Sequence, residues 1–404
     1  MTRHGRRTVL AMLGTGLTAL AGCAGSGGSD PATTDGRPDG DGGSEAEASG
    51  AATATWQAPG GAGGRSQVVA GVTGSGPSPA FEQVWRDDDL NTANNLLGPG
   101  GNVYNYDSSS QYGGITVVDP ASGDTQWSRG IDDGSDAIGR PLWAGTDTLV
   151  CSLGALDTGS GERRWGRVDT DTFRGRTAGP TGLYGLGYDA GESRPLRKRG
   201  PEGERRWSVS PEGVASASPT FVAGSRLYAR ANVDGAFGTL VLDTETGERM
   251  AVYEGGRPVA ADDQYTYLLG NTGMRAVARD GTVAWRLDDR VYAPVLGENR
   301  VYYLVGGDTV VACGKDDGSE AWRRTLDIGN GTRLSGAGDR LYVGGVRRDS
   351  EEDSRVLLAR SLTLEGEVAW RAEGFVPQFV TGDRVFATVL AGSGVPALAA
   401  FRSA

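Results

Sequence analysis

The chain has 404 residues, with 51 acidic against 40 basic side chains, a formal charge of −11 and one histidine, His4. An acidic surface repels phosphate backbones, which argues against nucleic acid as a partner. Sixty-seven glycines beside an ordinary 38% hydrophobic content imply many tight turns and few long helices.

Residues 1–22 read as an export signal and are set apart from the fold. Arg6-Arg7 precede an uncharged apolar stretch too short for an ordinary membrane span, and the pair resembles a Tat signal. Leu20-Ala21-Gly22-Cys23 resembles a lipobox, in which small residues admit the processing peptidase and the thiol takes the lipid. Cys23 is then the mature N-terminus. Loss of Arg3, Arg6 and Arg7 takes the charge to about −14 and leaves Lys198 and Lys315 as the lysines. Such an acidic, Lys-poor, Gly-rich composition points to a halophilic source, because dense carboxylates keep a surface hydrated in strong salt. Residues 23–55 hold Gly, Ser, Asp, Ala, Thr and Glu with almost no large apolar side chain. They cannot offset their ordering entropy and are expected to form a flexible tether.

Residues 56–404 are dominated by one repeat of about forty residues, the period of propellers and solenoids. An apolar strand leads to a turn with Asp or Gly, then to a Trp four residues after a Gly. Asp119 to Gly123 leads to Trp127, Asp157 to Gly161 leads to Trp165, and Asp243 to Gly247 leads to Ala251. Shorter turns end at Trp207, Trp285, Trp322 and Trp370. A second marker runs in phase: Gly224-Ser225-Arg226-Leu227-Tyr228, Gly338-Asp339-Arg340-Leu341-Tyr342 and Gly382-Asp383-Arg384-Val385-Phe386, with weaker copies at Gly182 and Asp263. Counting the Trp position gives Trp85, Trp127, Trp165, Trp207, Ala251, Trp285, Trp322 and Trp370.

Four short strands per repeat and eight repeats predict an all-β, eight-bladed propeller of antiparallel blades. One strand, Ala80 to Arg86, precedes the first full repeat. Three follow Trp370, at Pro377 to Val380, Arg384 to Val389 and Val395 to Phe401. The N-terminal strand is expected to complete the C-terminal blade, closing the ring without an exposed edge. Trp is large enough to fill the wedge between sheets and has one N–H for a backbone acceptor. Ala251 marks a differently filled junction.

These turns, Ala155-Leu156-Asp157 through Trp165 above all, resemble the PQQ-like, or quinoprotein-type, propeller repeat. That family includes quinoprotein alcohol dehydrogenases and the non-enzymatic outer-membrane assembly lipoprotein BamB. The lead-in Trp56-Gln57-Ala58-Pro59-Gly60-Gly61 with Arg65 is similar to the Trp/Gly/Arg stretch that often precedes the first blade. For a dehydrogenase, the resemblance implies two adjacent cysteines beside the cofactor and a calcium held by acidic and amide side chains. Cys151 and Cys313 instead sit on separate repeats, the third and seventh, where a small buried hydrophobe is expected and a disulfide is not. His4 falls in the signal, so Ser-His-Asp, Cys-His and haem-attachment arrangements are excluded.

Asp87-Asp88-Asp89, Asp132-Asp133, Asp262-Asp263, Asp316-Asp317 and Glu351-Glu352-Asp353 lack calcium-loop spacing and read as solvated acidic loops. Asn330-Gly331-Thr332 is a glycosylation sequon in an expected loop. Asn91 to Gly114 and Gly345 to Arg355 read as insertions into the repeat. The functional expectation is a non-enzymatic, monomeric scaffold or binding module with no cofactor and no metal. It would be lipid-anchored through Cys23 to the outer face of the cytoplasmic membrane and would bind envelope proteins. The alternatives are a PQQ/Ca-dependent oxidoreductase and a carbohydrate- or solute-binding propeller.

Overall fold

The computed structural model describes residues 81–403 apart from 91–94, 98–101, 108–113, 131–138, 167–172, 188–193, 349–354, 382–383 and 391–395. The signal, Cys23, the tether, Asp132-Asp133 and Glu351 to Asp353 lie outside these residues. Every described element is a strand.

In chain order β1 is Phe81–Asp87, and the second blade follows as β2 (Asn95–Leu97), β3 (Val103–Asp107), β4 (Gly114–Val118) and β5 (Thr125–Gly130). The third holds β6 (Pro141–Ala144), β7 (Thr148–Cys151), β8 (Gly154–Asp157) and β9 (Arg163–Trp165). The fourth holds β10 (Phe173–Gly179), β11 (Gly182–Gly187), β12 (Leu196–Arg199) and β13 (Arg205–Val209). The fifth holds β14 (Val214–Ala223), β15 (Arg226–Val233), β16 (Ala236–Asp243) and β17 (Arg249–Glu254). The sixth holds β18 (Arg257–Ala261), β19 (Tyr265–Leu269), β20 (Met274–Ala278) and β21 (Val283–Leu287). The seventh holds β22 (Val291–Leu296), β23 (Arg300–Val305), β24 (Thr309–Gly314) and β25 (Glu320–Thr325). The eighth holds β26 (Asn330–Ala337), β27 (Arg340–Arg348), β28 (Arg355–Thr363) and β29 (Val368–Glu373). Last come β30 (Phe375–Thr381), β31 (Arg384–Leu390) and β32 (Pro396–Ser403), which β1 joins as the fourth strand of blade 1.

All eight sheets are four-stranded and antiparallel, so the eight-bladed propeller read from the repeat is the observed fold. Closure runs from Phe81 opposite Ser403 to Asp87 opposite Leu398. First strands of successive blades touch one another from blade 2 through blade 8 to blade 1, which places them innermost. Two expectations are corrected. Asn91 to Gly114 is no insertion: it supplies β2 and β3, and its Tyr104 is fully buried. Gly345 to Arg348 and Arg355 belong to one hairpin, with β27 and β28 paired out to Arg348 and Arg355, and 349–354 lie outside the described residues.

Each junction is built from the same row of positions. In most blades an aromatic on the second strand, a small residue on the third and the Trp on the fourth lie side by side, as Tyr104, Val117 and Trp127 do. Val150 replaces the aromatic in blade 3, Lys198 the small residue in blade 4 and Ala251 the Trp in blade 5. Ring centroids of the aromatic pair stand 5.9–6.5 Å apart, from Tyr267–Trp285 to Tyr104–Trp127. A β-bulge beside the Trp position recurs in every blade and turns that side chain toward its neighbour. The indole then lies on the turn glycine of the next blade and donates to a carbonyl there. Trp127 Nε1 reaches Thr158 O at 2.9 Å and Trp322 Nε1 reaches Leu364 O at 2.9 Å, with Trp85, Trp165, Trp207 and Trp285 bonded alike. Removing one of the buried indoles, Trp85, Trp207 or Trp285, costs on the order of 3–5 kcal/mol.

The turn glycines are fixed twice over. Gly161 has φ +69°, and a Cβ there would lie 2.6 Å from the Trp127 ring. Gly281, in the turn facing Ala251, has φ +90° but open space around it. Gly161→Ala is therefore expected to destabilise by about 1–3 kcal/mol more than Gly281→Ala, compared by urea unfolding.

Where an Asp opens the turn, as in blades 2, 3 and 5, it accepts the turn's amides: Asp157 Oδ1 bonds the Gly159 and Ser160 N–H at 3.0 and 2.9 Å. The Arg164 guanidinium first, then these amides and the Ser160 hydroxyl, hold the Asp157 carboxyl down at about 2. Asp119, Asp243, Asp280 and Asp317 are held below the usual carboxylate range by their own Ser or Thr turn partners. With folded values below the unfolded ones, the stabilisation is complete above the ordinary carboxylate value near pH 4. It is lost as pH falls toward 2. The urea midpoint is expected to drop across this window, and Asp157→Asn to remove its share of the slope.

Candidate functional site

Blade junctions are where the charged interior lies. Lys198, on the third strand of blade 4, stands between Tyr184 and Trp207 in the register of its row. It is 2% exposed, and its Nζ reaches Glu245 Oε1 in the blade 5 turn at 2.7 Å. Lys315, in the blade 7 turn, reaches Asp262 Oδ2 of blade 6 at 2.9 Å. Both lysines of the chain thus tie one blade to the next. Asp262 is accordingly no solvated loop residue: it also accepts the Gln264 and Tyr265 amides and the Tyr267 hydroxyl. Burial works to raise its carboxyl, but Lys315 and the two amides outweigh it and hold it below the usual range.

Cations are also buried within the blades and at their inner strands. Leu196-Arg197-Lys198-Arg199 form a wholly buried strand, with the Arg199 guanidinium 5.3 Å from the Phe173 ring. Burial pushes Arg333, on the first strand of blade 8, down to about 10. Burial, then repulsion from Arg176, lowers Arg140 just ahead of β6. A cavity of about 430 Å³ at the edge of blade 8 is lined by Gly329, Val346, Arg347, Arg348 and Arg355. Arg347 is engaged there by Asp327 and Glu373.

Cys151 on β7 and Cys313 on β24 are buried free thiols on blades 3 and 7 of the ring of eight. Burial raises both, Cys313 to about 12, so neither is a ready nucleophile. The adjacent-cysteine ring of a quinoprotein cannot form from them. Among the described residues no three His, Cys, Asp or Glu side chains stand together as a metal-holding group. The cysteine positions do not fit the PQQ arrangement that the resemblance implies. Asn330 opens β26, paired with Val346, where a loop was expected; glycine at position 331 breaks the strand pattern in the sequence.

Two further features bear on the site, of which the sequence marked only the second. The Phe237 and Tyr292 rings, 44% and 40% exposed, are covered by the guanidiniums of Arg230 and Arg290 at 5.1 and 5.2 Å. Phe237 begins a third strand and Tyr292 a first strand. Strands alternate in direction and the blades share one orientation, so both rings lie on the same face of the propeller. The other feature is the blade 5–6 junction, where Phe221 stacks on Tyr228 at 4.7 Å and Tyr253 is buried, while Ala251 replaces the indole.

The family described as "Outer membrane protein assembly factor BamB" matches residues 270–398. Comparison with curated proteins gives no sequence match. Among solved structures, BamB from Moraxella catarrhalis is similar at 14% identity and TM-score 0.52, over 80% of this chain and 100% of that one. Quinohemoprotein alcohol dehydrogenase from Comamonas testosteroni is similar at 10% identity and TM-score 0.57, over 80% of this chain and 76% of that one. The computationally designed Ika8 protein is similar at 13% identity and TM-score 0.53, over 80% and 99%. An architecture shared by an assembly factor, an oxidoreductase and a design does not select a function. What these likenesses establish is the architecture of the chain, an eight-bladed β-propeller.

Proposed function

We propose that this chain is a non-enzymatic scaffold that binds envelope proteins from a lipid anchor at Cys23, on the outer face of the cytoplasmic membrane. The observation that carries the binding role is the pair of arginine-capped aromatic rings, Phe237 with Arg230 and Tyr292 with Arg290, exposed on one face of blades 5 to 7. Aromatic and Arg side chains are the types that dominate protein–protein hot spots, and a rigid ring presents them without an ordering cost. The likeness to an assembly factor supports the same reading. The acidic, Lys-poor composition supports a halophilic source, and in a cell with one membrane barrel assembly would not be the task. The cysteine positions speak against the quinoprotein alternative.

Photo-crosslinking from residue 230 or 290 in cells is expected to capture a defined envelope protein. The double variant Phe237→Ser, Tyr292→Ser changes exposed positions, so it should fold normally and lose that capture by about tenfold or more. Equal capture by the double variant would refute this face as the binding surface. Cys23→Ala is expected to move the protein from the membrane to the soluble fraction, and its retention on membranes would refute the anchor.

A further inference from the structure

The missing indole at position 251 leaves a formed socket. Gly203, Gly281 and Gly366 occupy the same short turn, each closed by a bond from the glycine N–H to the carbonyl three residues back at 3.0 Å. A Cβ on Gly203 or Gly366 would lie 2.7 Å from Trp165 or Trp322, whereas at Gly281 nothing stands within 4 Å. The bulge that turns the fourth-strand side chain toward its neighbour is still present beside Ala251, between Val241 and Leu242. Pro201 and Leu364 supply the carbonyls that accept the indoles of Trp165 and Trp322. Arg279 holds the corresponding place in the turn before Gly281. Met250 and Val283, on the two fourth strands that flank this gap, are 45% and 38% exposed. Glycine floor, carbonyl acceptor and apolar walls together suit an indole.

The chain contains nine tryptophans. Seven hold blade positions and Trp143 lies on β6, which leaves Trp56, outside the described residues and 25 positions ahead of Phe81. β1 is a fourth strand, so the chain enters it on the face that carries the turns between third and fourth strands, the same face as Gly281. Twenty-five residues reach at most ~80–90 Å, while two opposite four-stranded blades contribute only about 30 Å of sheet. The segment can therefore cross the ring. Being tethered, it would act at an effective concentration in the millimolar range, so even a weak site is occupied.

We propose that Trp56 docks in the blade 5–6 socket, its ring on Gly281 and its N–H on the Arg279 carbonyl. This rests on the socket and not on the partner-binding reading, which concerns the opposite face.

The test uses the full chain with p-benzoylphenylalanine at Val283, photolysed and mapped by mass spectrometry. An intrachain crosslink to the residues around Trp56 is expected, falling by about tenfold or more in Trp56→Ala and in Ala251→Trp. With 5-fluorotryptophan incorporated, the ¹⁹F resonance absent from Trp56→Ala should move to the solvent-exposed position in Ala251→Trp. Crosslinks to a second copy or to another protein that persist undiminished in Trp56→Ala would overturn the proposal. So would a Trp56 resonance that Ala251→Trp leaves unmoved. Trp56→Ala alone decides the crosslinking arm should Ala251→Trp fail to fold.

Discussion

The indole laid on a glycine of the next sheet is the contact on which the ring depends. It requires three local conditions at once: a bulge that aims the ring, a positive φ at the glycine and a turn carbonyl at bonding distance. Because each condition is met by main-chain geometry, the contact survives wide variation elsewhere in the blade. The joint between blades 8 and 1 shows how far it can bend. That blade is assembled from both ends of the chain and has no continuous turn between β32 and β1. Trp370 is met there by the edge of Phe81, with centroids 4.6 Å apart and planes at 74°.

Charge is handled in a complementary way. The surface is rich in carboxylates, and both lysines are withdrawn from it to bridge neighbouring blades. Separating a buried lysine such as Lys198 from its partner leaves an uncompensated buried charge even though Glu245 itself is exposed, so such pairs disfavour wrong neighbours. Placed across blade boundaries, they discriminate against a shifted order of blades in a molecule whose sheets are otherwise much alike.

The repeat itself was legible because one bulky side chain recurs at a fixed offset from a turn, and the closure followed from counting strands at both ends. What could not be read was anything departing from hydrophobic patterning. Leu196-Arg197-Lys198-Arg199 looks like an exposed segment, yet the strand is buried because blade 5 supplies Glu245 and the Tyr184 ring covers Lys198. Asp262 looks like one more acidic loop residue until a lysine from the next repeat, 53 positions on in the chain, is brought against it. Asn95–Leu97 and Val103–Asp107 were hidden by an Asn/Gly-rich context that reads as loop. The vacancy at Ala251 was visible as a substitution, but its openness depends on a glycine in a different blade.

Ring closure also orders the events of synthesis. β1 leaves the ribosome first among the blade strands, and its partner β32 begins at Pro396, 309 positions after Asp87. At ordinary elongation rates of about 5–20 residues per second, roughly 15–60 seconds separate the two. For that interval Phe81 and Trp85 have no native sheet to lie on, while complete blades accumulate behind them. The last blade strand made is thus the one that completes the first, and cooperative protection of the ring begins only once Pro396 to Ser403 have been made.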